Sequence, residues 1–154
     1  MMIRLTDHPF LTTDAVAEFE KHAAGAGAIV TFCGLVRPQS AEGDVETLHL
    51  QAYSPMTENG IRQAVDAARQ RWPLTAVHII HRIGDMAPGE PIVFVATAAP
   101  HRRAAFEAAD FLMDYLKTDA IFWKKEVIAS ETRWIEPRAD DYLDRARWNP
   151  QGES

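Results

Sequence analysis

"PIVFVATAAPHRRAAFEAADFLMDYLKTDAIFWKKEVIA", residues 91–129, is the stretch on which the fold turns. Residues 91–99 are apolar apart from Thr97 over a strand's length, which predicts a central strand covered on both faces. Pro100 then introduces the longest helix, 101–118, where Phe106, Ala109, Leu112, Met113 and Leu116 recur at helical spacing. Residues 120–129 return as a strand on which Phe122, Lys124 and Glu126 share one face, and Trp123 and Lys125 the other. Working upstream, 75–84 is a strand with Val77, Ile79, His81 and Ile83 on one face, and 85–90 is its turn. Before it lies a helix over 56–72, capped by Ser54 with Pro55 in its first turn and stopped by Pro73. Residues 28–37 and 45–53 form a hairpin around a loop at 38–44. A strand at 2–5 precedes a helix at 13–24 capped by Thr12 or Thr13, and 132–137 adds a last strand. Such mixing of helices with hairpins predicts an α/β chain of the α+β type, a mixed sheet with about three packed helices. Residues 1–138 form a single domain, and 139–154 a polar tail whose Tyr142, Leu143 and Trp148 suit docking.

A chain of 154 residues can close one core without metals or disulfides. Its formal charge of -6 argues against wholesale nucleic-acid binding and confines any anion site to a local cluster. Cys33 is the only cysteine and sits in an apolar run, so no internal disulfide can form and a nucleophilic thiol is disfavoured. The N-terminus lacks the pattern of a secretory signal and no run of eighteen apolar residues occurs, so the expected setting is cytoplasmic. His49, His78 and His81 lack metal-ligand spacing, and no metal or cofactor is expected.

Lysine is scarce, four against twelve arginines, and three of the four are Lys117, Lys124 and Lys125. A desolvated lysine can lose its proton and act as a base or nucleophile, which a guanidinium cannot. The plainer reading is a solvated surface cluster, and Lys117 at a helix C-terminus is favoured by the dipole in any case. His101, Arg102 and Arg103 raise the opposite question, because the first turn of a helix repels cations. A phosphate there would gain the free N–H groups and a bidentate guanidinium together, although solvent or Glu107 would also satisfy these side chains. Arg37, at the mouth of a loop, is a third candidate for gripping phosphate.

"VTFCGLVR" (30–37), "AYSPMTENGI" (52–61), "RWPLTAVHIIHRIGDMAPGEPIVFV" (71–95), "HRRAAFEAADFLMDYLKTDAIFWKKE" (101–126) and "RWIEPR" (133–138) together resemble the large, catalytic subunit of molybdopterin synthase, in order and without a large gap from about residue 28 to 138. The resemblance implies an α/β hammerhead fold and a role in molybdenum cofactor biosynthesis. Cyclic pyranopterin monophosphate, or precursor Z, would become molybdopterin by gaining two sulfurs as a dithiolene. The sulfur would arrive as a thiocarboxylate on the C-terminal Gly-Gly of a small ubiquitin-like subunit. It further implies Lys117 and Lys124 as the catalytic pair, and Arg37, His101 and Arg102 as substrate-binding cations. Phe32 and Met113 would line the pocket and Arg138 would join the anion-binding region. The implied assembly is a heterotetramer built on a homodimer of large subunits, in which one protomer can lend Arg or His residues to its neighbour. Leu35, Gln51 and Lys125 depart from the Lys, Glu and Arg frequent in the family, and the first removes a cation beside the site.

Two other classes of reading stay open at this level. One is a catalytically inactive interaction module that binds a ubiquitin-like partner, and the other is a different phosphate-ester enzyme using the same basic pocket. The division of roles between Lys117 and Lys124 also stays open.

Overall fold

The computed structural model describes residues 1–118 and 122–149. Ala120 and Ile121, expected to start a strand, lie outside the described residues, as does the end of the tail. The elements run β1 (Met2–Thr6), α1 (Thr12–Glu20), β2 (Ala28–Leu35), β3 (Gln39–Ser40), β4 (Gly43–Asp44), β5 (Thr47–Ala52), α2 (Met56–Arg71), β6 (Ala76–Arg82), β7 (Gly84–Met86), β8 (Pro91–Ala99), α3 (Arg102–Thr118), β9 (Phe122–Ile128), β10 (Glu131–Ile135) and α4 (Ala139–Ala146).

The apolar run 91–99 is a central strand, buried throughout from Val93 to Ala99. It pairs antiparallel with β6 on one side and β2 on the other, and β1 joins β6 in parallel, giving the order β1-β6-β8-β2. Alternation along these strands sends Val77, Ile79, Val93 and Val95 to the face covered by Ile61 and Val65 of α2 and Phe111 and Leu112 of α3. Ile80, Phe94, Ala96 and Ala98 face the other way, against Ala15 and Phe19 of α1. Both faces are thereby removed from water, which is why the strand carries no polar side chain but Thr97. That hydroxyl donates to the carbonyl of Ala105 at 2.7 Å. Where β8 ends and β2 begins, the two chains touch so closely that a Cβ on Gly27 would lie 2.1 Å from the Pro100 carbonyl oxygen.

A second antiparallel sheet, β10-β9-β5-β7, has its own small core of Val36, Leu48, Leu50 and Met86. Two four-stranded sheets therefore stand where the hairpin pattern predicts one mixed sheet, because β5 pairs with β9 and not with β2. The expected loop 38–44 contains the small β3-β4 ladder, and part of the expected turn after β6 is β7.

Local departures have local causes. α1 ends at Glu20 and not at 24, because His22 and Ala23 bond back three residues to Phe19 and Glu20 and tighten the chain toward Gly25, whose φ is 86°. Neither threonine caps it: Leu11 is the N-cap, and Thr12 Oγ1 lies 3.1 Å from Cys33 Sγ. Pro55 takes the N-cap of α2, while the Ser54 hydroxyl donates to Glu58. Phe106 is 60% exposed and stands off the buried face of α3, which runs through Ala105, Ala108, Ala109, Phe111, Leu112 and Leu116. The tail forms α4 and folds back on α3: Arg147 bonds Asp110 at 2.7 Å and Asp114 at 2.9 Å, and Trp148 packs edge-on to Trp72 and Phe111.

Candidate active site

Between the sheets and the C-terminal end of α3 opens a cavity of about 580 Å3. Four parts of the chain supply its cations: Arg37 after β2, Lys117 in the last turn of α3, Lys124 on β9, and Arg133 and Arg138 on and beyond β10. Phe32 and Met113 contribute apolar wall. On β9 the alternation turns Phe122, Lys124 and Glu126 to the cavity, whereas Lys125 lies over the exposed Trp134 ring at 4.6 Å.

Not all of this charge is available. Arg133 is paired with Glu42 at 3.0 Å and Arg138 with Asp141 at 3.6 Å, whereas Arg37, Lys117 and Lys124 have no hydrogen bond or ion pair among the described residues. Burial holds the Lys124 ammonium below the usual lysine range, and the Lys117 and Arg37 cations push the same way. Glu126 opposes that shift; its carboxylate is buried, with Oε2 unpartnered in the described structure. The site therefore combines unpaired positive charge, an amine predisposed to lose its proton, and apolar wall from Phe32 and Met113. An anionic substrate with an apolar or aromatic body fits that set, and a proton can be taken or given beside it.

His101 and Arg102 are elsewhere. They lie exposed at the first turn of α3, and Arg102 and Lys117 are fifteen residues apart on one helix, about 22 Å along its axis. One protomer cannot bring both ends of that helix to one phosphate. Glu107, the suggested acid for the basic turn, instead accepts the indole N–H of Trp72 at 3.0 Å.

The cavity also contains residues not anticipated as part of it: His81, Glu126, Asp141 and Tyr142. His81 was the readable one, since a histidine two positions after Ile79 on an otherwise apolar strand face must meet either core or a site. Among the described residues no group of three or more His, Cys, Asp and Glu side chains could hold a metal ion, and no helix is long and apolar enough to cross a membrane.

The family model described as "MoaE protein" matches residues 5–119. A molybdopterin synthase catalytic subunit from Caulobacter vibrioides is 48% identical over 151 residues, covering 98% of this chain and 99% of the relative. The Escherichia coli protein of the same name is 49% identical over 122 residues, 79% of this chain and 81% of its own. The molybdopterin biosynthesis MoaE protein from Burkholderia ambifaria superimposes with a TM-score of 0.82 at 38% identity, covering 97% of this chain and 99% of that one. Molybdopterin synthase from Staphylococcus aureus gives 0.77 at 28% identity, over 86% and 95% of the two chains. With three quarters of its length inside the family model and near-full-length relatives at such identity, this chain belongs to the MoaE protein family.

Proposed function

We propose that this chain is the catalytic large subunit of a molybdopterin synthase, a sulfurtransferase of molybdenum cofactor biosynthesis. Its partner is a small ubiquitin-like subunit whose C-terminal Gly-Gly carries a thiocarboxylate. Its substrate is cyclic pyranopterin monophosphate, and its product carries the dithiolene. The observation that carries the reading is the pair Lys117 and Lys124, brought from two elements to one cavity with no acceptor bound to either among the described residues.

Each role follows from its surroundings. Arg37, which has no ion pair among the described residues, attracts the substrate's phosphate, Arg138 joins it only by giving up its pairing with Asp141, and Phe32 and Met113 bound the space for the ring system. Lys124, whose ammonium is disfavoured by burial and by the neighbouring cations, is the member of the pair suited to take a proton as sulfur adds. Lys117, at the end of α3 and facing the same cavity, stabilises negative charge that develops on oxygen or sulfur. His101 and Arg102, too far along α3 to serve their own cavity, serve the phosphate in a second protomer's cavity within a homodimer. The catalytic unit spans residues 1–138, with Asp141 and Tyr142 of the following segment closing one wall. No resident cofactor is required, because the partner brings the sulfur. We place the reaction in the cytoplasm, in keeping with a single cysteine that can form no internal disulfide.

Reconstitution tests this. Purified chain, thiocarboxylated small subunit and cyclic pyranopterin monophosphate should yield dithiolene product that depends on both the partner and Lys117. A stable complex without product would favour an interaction module instead.

A further inference from the structure

The His81 imidazole is 8% exposed, lies in the cavity wall, and stacks on Phe122 with ring centroids 4.1 Å apart and planes 19° from parallel. Its Nδ1 is 2.9 Å from the carbonyl oxygen of Arg82. A carbonyl can only accept, so Nδ1 carries the hydrogen, and in the neutral ring Nε2 holds a bare lone pair. Burial keeps the ring neutral, pushing its pKa down to about 4, with the Lys117 charge acting in the same direction. No side chain or backbone group among the described residues donates to Nε2, and that atom is not sealed within the protein. The cavity wall thus presents a fixed acceptor without a donor.

Lys117 supplies the complement. It sits at the last turn of α3, exposed and on a long flexible stem, with three N–H donors and no acceptor among the described residues. Its charge is felt by both His81 and Lys124, so the three groups share one neighbourhood. Arg37, Lys124 and Arg138, also in the cavity, are donors only and cannot hold an ammonium. Of the carboxylates that line the cavity, Glu42 is paired with Arg133 and Asp141 with Arg138, Glu136 lies exposed beyond β10, and Glu126 stands two residues beyond Lys124 on the same face of β9. A carboxylate would also cancel the positive charge that the cavity needs for an anion, whereas a neutral imidazole anchors an ammonium and leaves its charge intact.

We infer that His81 is a positioning residue of this site: its Nε2 accepts a hydrogen bond from the Lys117 ammonium and fixes that side chain beside Lys124. The inference deepens the sulfur-transfer reading and rests on it for its consequence in catalysis, though the hydrogen bond itself can be observed without turnover. Its first test is the imidazole 15N spectrum of the folded chain. His81 should show Nδ1 protonated and Nε2 unprotonated, with the Nε2 resonance displaced in the Lys117→Ala protein. A protonated Nε2, or a resonance indifferent to Lys117, would overturn it.

The second test is single-turnover sulfur transfer. Asn at 81 keeps a donor near the Nδ1 position and has nothing at Nε2, whereas Gln can place its carbonyl oxygen where Nε2 stood. His81→Asn should slow transfer about tenfold, as expected for losing a hydrogen bond to a charged group. His81→Gln should recover to within about threefold of the unaltered rate. In a Lys117→Ala background, His81→Asn should cost nothing further, because both act through one group. Equal losses for Asn and Gln, or an undiminished Asn effect without Lys117, would mean a structural role and overturn the inference. An unaltered chain that makes no product while its Nε2 still answers to Lys117 would instead overturn the sulfur-transfer reading and leave the hydrogen bond standing.

Discussion

Acidifying the protein from pH 7 to pH 5 should destabilise its fold through His81 by about 2 kcal/mol. In the folded chain this ring titrates at about 4, against 6.5 for a free imidazole, because protonating it would bury a charge next to Lys117. Between those two values the unfolded chain binds more protons than the folded one, so stability falls as pH falls. The contribution is fully present above pH 6.5, is lost progressively toward pH 4, and amounts to about 3 kcal/mol across the whole window. By pH 5 about two thirds of it is gone. Urea unfolding of the unaltered chain and of His81→Gln, each at pH 7 and pH 5, isolates the effect, since glutamine does not titrate. At roughly 1–3 kcal/mol per molar urea, the unaltered chain's midpoint should drop by about 1 M more than the variant's. His78, which burial also holds below the usual histidine range, contributes with the same sign in both proteins and cancels. Equal drops in the two proteins would refute the placement of a neutral, buried imidazole at 81.

Three further outcomes follow from the site and its frame. The rate of sulfur transfer should rise with pH along a limb set by Lys124, with a midpoint below 10.5, and Lys117→Ala should move that midpoint upward by removing a neighbouring cation; a limb insensitive to Lys117 would separate the two lysines. Arg37→Ala should raise the KM for the phosphorylated substrate about tenfold or more while partner affinity, read by titration calorimetry, stays the same. Gly27→Ala should lower unfolding free energy by at least about 1–3 kcal/mol in urea, because a methyl group 2.1 Å from the Pro100 oxygen forces β2 and β8 apart.

Much of this arrangement could be read from residue order. The run 91–99 announced a doubly covered strand because no face of it is polar, and that is how β8 is used. Arg37, Phe32, Met113, Lys117, Lys124 and Arg138, singled out by the family resemblance, all line one cavity. The separation of His101 and Arg102 from that cavity needs only the rise of a helix, but the resemblance grouped them with Arg37 as substrate-binding cations and did not show it. What stayed hidden depends on long-range pairing. That β5 would leave β2 for β9 is decided by contacts across some seventy-five residues, from Thr47–Ala52 to Phe122–Val127, which no local pattern encodes. His81 stood out on the apolar face of Val77 and Ile79, but that it meets a site and not core depends on Phe122, which comes from the other sheet. Phe106 misled for the opposite reason: its spacing fits the stripe, but the close packing of Ala105, Ala108 and Ala109 against the sheet turns that position to solvent.

The strand order of the first sheet bears on how the chain is made. Among the described residues β2 has a single partner strand, β8, and sixty-four positions separate the end of one from the end of the other. During synthesis the segment Ala28–Leu35 leaves the ribosome as an apolar strand with nothing to pair with, and at about 5–20 residues per second it waits for several seconds. Any chain that stops before Pro91 keeps both of its edges bare. Stalled or truncated products should therefore aggregate or occupy a holdase, and docking of a second subunit must wait until β8 has closed the sheet.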